Sequence, residues 1–271
     1  GFCMQGFSPR VDIIPRGKIQ RGTLLLATYR GPASFQPTGI LTGKSKFLFF
    51  KDRKGLARAF VAVPLNGRKS QLIFTLAVSS GKSVRKSKFI LKVYKKNMPT
   101  KHIHLPEKMT RLSKKTLEKI HRERKALLKV LHRVSLKKRW NGRFMRPVDG
   151  RITSVFGARR RINGSYYSVH HGVDFRARPG TPIHAVNTGK VVFCGSLLLT
   201  GNTVVLDHGL GLFSLYAHLK SITVKRDDIV RKNTILGYSG NTGRSTGPHL
   251  HLGITLSGIA VDPLSLINLS L

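Results

Sequence analysis

The chain is expected to be mainly β, with a small N-terminal β-sandwich, a basic helical linker and a second all-β unit at its C-terminal end. Three observations predict this. Short runs of β-branched and aromatic residues recur between turn signals over residues 20–97. Residues 112–139 instead place apolar side chains at three- and four-residue steps. From Trp140 onward, glycines punctuate a further series of strand-like runs. The expected boundaries are 1–100, 101–140 and 141–271, and a length of 271 residues suits two domains.

The first unit rests on five runs. They are Leu24–Leu26, Phe47–Phe50, Phe60–Val63, Leu72–Phe74, and Phe89–Leu91 followed by Val93. Gly31-Pro32, Pro64, Asn66-Gly67 and Gly81 separate them, a spacing that suits a small sandwich. In the linker, Leu117, Ile120, Leu127, Leu128, Leu131 and Val134 form one apolar stripe among Lys and Arg. This is read as a solvated connector whose stripe packs on one domain. The second β unit is expected to hold strands at Gly189–Phe193, Asn202–Leu206, Ser214–His218, Ile235–Tyr238 and His249–Thr255.

Composition narrows the function classes. Hydrophobic residues make up 40% of the chain, enough for real cores. The net charge is +38, and residues 1–140 hold 34 Lys and Arg against five Asp and Glu. Such a field attracts polyanions, whether nucleic acid, anionic lipid or acidic cell-wall polymer. Nucleic acid is the weakest of these, because aromatics are only 8% and those of the first half sit in strand-core runs. Cys3 and Cys194 form neither a disulfide framework nor a zinc spacing; Cys194, in an apolar run, is expected in the core. No apolar run reaches the roughly 18 residues of a membrane-spanning helix.

Five histidines and one aspartate carry the chemistry. His170 and Asp174 stand four apart, and His249 and His251 two apart. On extended chain both spacings put side chains on one face. Two such strands facing one pocket could supply imidazole, imidazole and carboxylate, and three ligands with an open fourth position are the pattern of a catalytic zinc site. The stretch Gly240–Pro248 before His249 has no apolar purpose, which suits a functional loop. His171 falls on the face opposite His170 and is read as structural or solvent-facing; His208 precedes a glycine turn and is read as structural. His102, His104, His121 and His132 lack ligand spacing.

Several segments then match in order: Ile152–Gly157, His170–Phe175, Pro179–Ile183, Gly201–Val205, Leu215–Leu219 with His218, Thr246–His251 and Val261–Pro263. Over residues 150–264 the chain resembles the catalytic domain of lysostaphin/LytM-type zinc metallopeptidases, and residues 1–100 look like the β-domains that precede this peptidase in Gram-negative enzymes. The resemblance implies an antiparallel β fold for 141–271. It implies one Zn2+ bound by His170, Asp174 and His251, with His218 and His249 as the catalytic non-ligand histidines. The implied reaction is hydrolysis of peptide cross-links in peptidoglycan, at the D-Ala–diaminopimelate bond, by an exported enzyme of the periplasm or cell envelope. Arg160 and Asn163 fall where the family lines its groove, so they are read either as substrate contacts or as part of a solvated basic turn, and the N-terminal unit is expected to be regulatory. Peptidoglycan is the expected partner, with anionic envelope polymers or lipid beside it. The competing reading is a catalytically silent wall-binding or hydrolase-activating module, which the complete ligand set opposes.

Overall fold

The structure, a computed structural model, describes residues 9–98, 100–104, 112–164 and 166–271. Cys3 lies outside them. The chain divides into two compact units between Lys96 and Asn97.

The first unit contains β1 (Arg10–Ile14), β2 (Ile19–Gln20), β3 (Leu24–Arg30), β4 (Gln36–Thr42), β5 (Ser45–Phe47), β6 (Phe49–Lys51), β7 (Ala57–Ala62), β8 (Gln71–Ser80) and β9 (Ser83–Tyr94). They form two sheets, ordered β1-β3-β7-β6 and β2-β9-β8-β4-β5. β4 meets β6 and β7 across the interior, and β5 meets β7. Leu24, Ile40, Phe47 and Phe74 are fully buried between them, each stabilising the fold by roughly 2–3 kcal/mol relative to exposure. The run Phe47–Phe50, read as one strand, is two. Phe47 pairs with Ile40 in one sheet, while Phe49 pairs with Ala59 in the other, so the chain crosses the core at Leu48. Arg21 is buried, its guanidinium donating to the carbonyls of Pro64, Asn66 and Lys69. These bonds satisfy the charge and pin the Pro64–Lys69 turn.

The second unit begins with β10 (Thr100–Ile103) and α1 (Lys114–Leu131), followed by β11 (Ile152–Ser154), β12 (Arg159–Ile162), β13 (Tyr166–Val169), β14 (Val173–Arg176) and β15 (Pro182–His184). Then come β16 (Gly189–Leu197), β17 (Gly201–Gly209), β18 (Leu212–Ile222), β19 (Ile229–Val230), β20 (Ile235–Ser239), β21 (His249–Leu256), β22 (Ile259–Val261) and α2 (Pro263–Ile267). Its large antiparallel sheet runs β11-β14-β21-β18-β17-β16-β19, with β20 on β18, β15 on β20 and β22 on β21. A small sheet, β10-β12-β13, stands beside it. Asp262 caps α2 by accepting from the Leu264 amide at 3.0 Å, which explains the Val-Asp-Pro spacing at the end of β22.

α1 is shorter than the predicted 112–139. Ser113 caps its start by accepting from the Thr116 amide at 3.2 Å. At its end, His132 donates from its backbone N–H and its ring Nδ1 to the Leu128 carbonyl. Beyond this point tertiary bonds replace helical ones. The Ser135 carbonyl accepts from Leu210, the Arg139 amide donates to His208, and the Arg139 guanidinium pairs with Asp207 at 3.0 Å. Only part of the apolar stripe is covered. Leu131 is buried against Val205 and Phe213 with Leu127 alongside, whereas Leu117, Leu128 and Val134 stay exposed. Cys194, expected in the core, is half-buried on β16.

His208, on β17, is fully buried. Its Nδ1–H donates to the Thr188 carbonyl at 2.8 Å, and its Nε2 lies 2.8 Å from Ser214 Oγ, which is 3.0 Å from the Tyr216 hydroxyl. Burial pushes its pKa down to about 4, so it is a neutral structural link between β17 and β18.

Candidate metal centre and its flanking histidines

Three neighbouring strands, β14, β21 and β18, supply most of the site. Asp174 pairs directly with His251 across β14 and β21, so their side chains share a face. His249 follows on that face because strand side chains alternate.

His170 arrives by a different route from the one the spacing suggested. On a straight strand, residues four apart lie about 13 Å from each other. Instead the chain bends at His171-Gly172 before β14 starts, and His170 Nε2 comes within 2.9 Å of Asp174 Oδ1. The bend requires glycine. A Cβ at Gly172 would sit 2.4 Å from the Leu252 carbonyl oxygen and 2.5 Å from His251 Cε1. Backbone bonds complete the placement, with the His170 N–H donating to Ala158 and its carbonyl accepting from Gly157.

His251 Nδ1 lies 2.9 Å from both Asp174 Oδ1 and His170 Nε2. Three ligand atoms thus form a triangle with 2.9 Å sides. Nitrogen and oxygen ligands of a tetrahedral zinc stand roughly 3.3 Å apart, so the triangle is close to one face of such a site. Among the described residues this is the one cluster of three that could hold a metal.

The ionisation states suit a metal. His170 Nδ1–H donates to the Val155 carbonyl at 3.0 Å, with Ser154 Oγ at 3.2 Å, so Nε2 is the ring atom that a metal would take in place of the proton now shared with Asp174 Oδ1. Burial pushes the His170 pKa down to about 4, outweighing the bond to Asp174. Burial opposes ionisation of Asp174 too, but the bonds to His170 and His251 prevail and hold its carboxyl well below the usual carboxylate range. Two imidazole nitrogens and an ionised carboxylate are a donor set that fits zinc.

Arg160 completes the carboxylate's surroundings. Its Nη2 lies 2.7 Å from Asp174 Oδ2, the oxygen turned away from the histidines. Arg160 reaches it from the β12–β13 hairpin, whose connection opens with Asn163 and Gly164 at φ of 48° and 77°, left-handed backbone that Gly and Asn adopt more readily than other residues. The segment therefore is a hairpin, and its second arginine points inward. Asn163 is exposed at the tip.

His218 and His249 flank the triangle with ring centroids 4.7 Å apart, and His218 stands 6.2 Å from His251. Alternation alone would have turned His218 away, because its neighbour Ala217 is the residue paired with His251. A left-handed backbone at His218, φ 63°, and a register shift between Leu219 and Ser221 bring the ring back. Such strained backbone in a non-glycine residue costs about 1–3 kcal/mol and clusters at functional sites.

Each of these two rings commits its Nδ1–H to a carbonyl. His218 donates to Thr242 at 2.8 Å and His249 to Gly247 at 2.8 Å, so both present Nε2 as an acceptor. His249 Nε2 lies 3.8 Å from Asp174 Oδ1. Burial pushes the His218 pKa down to about 4, helped by the neighbouring His249 and His251. Thr242 was not singled out from sequence. Its hydroxyl donates to Leu219 at 2.7 Å and accepts from Asn202 at 2.9 Å, fixing the loop whose carbonyl orients His218. His171 is exposed and outside the cluster, and His102, His104, His121 and His132 join no metal-capable group among the described residues.

Residues 168–263 match the family model of peptidase family M23. DD-carboxypeptidase/endopeptidase Mpg of Neisseria meningitidis serogroup B is 39% identical over 115 residues, which cover 42% of this chain and 26% of Mpg. Peptidoglycan DD-endopeptidase ShyA of Vibrio cholerae is 39% identical over 121 residues, covering 44% of this chain and 28% of ShyA. The match thus spans about a quarter of the length of these relatives. A crystal structure from Pseudomonas aeruginosa, described as a candidate peptidase M23, superposes with a TM-score of 0.72 at 29% identity and covers 93% of this chain and 96% of that one.

Proposed function

We propose that this chain, which carries a peptidase family M23 domain, is a zinc endopeptidase that hydrolyses D-Ala–diaminopimelate cross-links of peptidoglycan outside the cytoplasm. The observation that carries the reading is the 2.9 Å triangle of His170, Asp174 and His251, flanked by two histidines with acceptor nitrogens facing it. The DD-endopeptidase relatives support the substrate class.

In this proposal His170, Asp174 and His251 hold the zinc. When bound there, zinc supplies Lewis acidity that polarises a peptide carbonyl and acidifies water at neutral pH. The chain's own groups do the rest. Nε2 of His218 or His249 is placed to take a proton from the attacking water and later return it to the leaving amine. The other ring, protonated or hydrogen-bonded, stabilises charge growing on the carbonyl oxygen. The Nδ1–H bonds to Thr242 and Gly247 hold both rings in the tautomer this needs.

Arg160 is assigned a positioning role. By occupying Asp174 Oδ2 it leaves Oδ1 alone to face the metal. Arg160→Met is expected to weaken zinc binding roughly 10- to 100-fold, the usual cost of losing an outer partner, and Arg160→Lys to restore part of it. Competition against a chelating dye measures this, and unchanged zinc affinity in Arg160→Met contradicts the role.

The function itself is tested with purified cross-linked muropeptide dimers. The expected result is conversion to monomers, lost on chelation and regained with added zinc. Persistence of the dimers under zinc-replete conditions counts against the proposal.

A further inference from the structure

The outer face of the β2-β9-β8-β4-β5 sheet carries no part of the site above, yet it has a definite chemistry. Along β9, burial alternates. Phe89 packs inward on Phe74 with ring centroids 5.4 Å apart, and Val93 is buried. The intervening residues Val84, Lys86, Lys88, Ile90 and Lys92 are exposed on the opposite face. Cross-strand register sets Ile73 of β8 directly against Ile90, and Thr75 against Lys88. Ile73, Val84 and Ile90 are 57%, 62% and 60% exposed.

The charge of this face is one-sided. No Asp or Glu occurs between Asp52 and Glu107, so no acid lies in β8 or β9. The two acids of the first unit, Asp12 and Asp52, are already paired with Arg30 and Arg58 at 2.7 and 2.9 Å. At the end of β9, Tyr94 has Lys18 at 4.8 Å and Lys92 at 5.7 Å from its ring centroid. Residues two apart on a strand stand roughly 6.6 Å from each other, so Lys86, Lys88 and Lys92 form a row of positive charge along β9, with Val84 and Ile90 in the same row.

We infer that this sheet face docks onto an anionic lipid bilayer. Charge complementarity demands an anionic partner. The aliphatic residues select a bilayer over a free polyanion, because an interfacial surface takes up apolar side chains beneath its headgroups while lysines bind the phosphates above them. The tyrosine flanked by lysines is amphipathic in the same sense. The inference does not depend on the peptidase reading.

The test is co-sedimentation of the full chain with vesicles of phosphatidylcholine, with and without phosphatidylglycerol, across a salt series. Binding is expected only to the anionic vesicles and is expected to weaken with salt. Each lysine near an anionic surface contributes about fivefold to the binding constant, so the triple variant K86S/K88S/K92S should lose roughly 100-fold. K114S/K115S/K129S, the same charge change on α1, should lose much less. I73S/I90S should also bind more weakly although its charge is intact. Equal losses in the two lysine triples, or no loss in I73S/I90S, would overturn the assignment and leave only the general field of a +38 chain. Stronger binding to single-stranded nucleic acid than to the vesicles, abolished by the same β9 triple, would overturn it in favour of a polyanion site.

Discussion

Replacing His251 with alanine is expected to abolish zinc binding and hydrolysis together. Its Nδ1 is one corner of the 2.9 Å triangle, and the two remaining donors, His170 and Asp174, would leave a two-coordinate site. Losing a direct ligand should cost well beyond the roughly 10- to 100-fold lost with an outer partner. The fold should survive, because His251 is only half-buried and its strand is held by backbone pairing to β14 and β18. Thermal melts separate binding from folding. Zinc at about a thousand times its dissociation constant should stabilise the parent chain by roughly 4 kcal/mol and leave His251→Ala unmoved. Equilibrium dialysis that still finds one tightly held zinc per variant chain would refute the ligand assignment.

Replacing His249 with alanine is expected to spare the metal and remove the chemistry. Its Nε2 is 3.8 Å from Asp174 Oδ1 and outside the triangle, so zinc stoichiometry should stay at the parent value. The turnover number should fall by roughly 10²- to 10⁴-fold, the usual contribution of a positioned acid–base group. His218→Ala should behave similarly. If the two rings serve one step, the double variant will lose little more than either single change, since groups that act as a unit are not additive. Steady-state kinetics with metal analysis on the same samples checks this, and a full-rate His249→Ala variant would remove the residue from the mechanism.

Much of this site was legible in the residues because strand alternation is a short-range rule. His249 and His251 two apart did fall on one face, and Asp174 met that face through direct pairing with His251. The rule failed where the backbone left the regular strand. His170 reaches Asp174 through a bend that Gly172 permits, and His218 is turned inward by a left-handed residue beside a bulge. Neither is encoded in a two-residue period. Arg160 sits in a run that looks like a solvated basic turn, and its partner is visible only once the Asn163-Gly164 hairpin folds over β14. In the first unit, β4 escaped notice because Pro37 and Gly39 interrupt its pattern, and the Phe47–Phe50 run hid a crossing between sheets. Pairing of β10 with β12 joins segments distant in sequence, which no local window can reveal.

In the proposed function the triangle and its two flanking histidines together hydrolyse a peptide cross-link. Digestion of purified cross-linked peptidoglycan in heavy-oxygen water, with products weighed, tests it most directly. Zinc-loaded chain is expected to convert dimers to monomers and to leave one heavy oxygen on the newly formed D-Ala carboxyl, with no such product from His249→Ala. Dimers left intact by zinc-loaded chain that still binds the peptidoglycan would contradict it, and would make the chain a wall-binding module with the donor set of an enzyme.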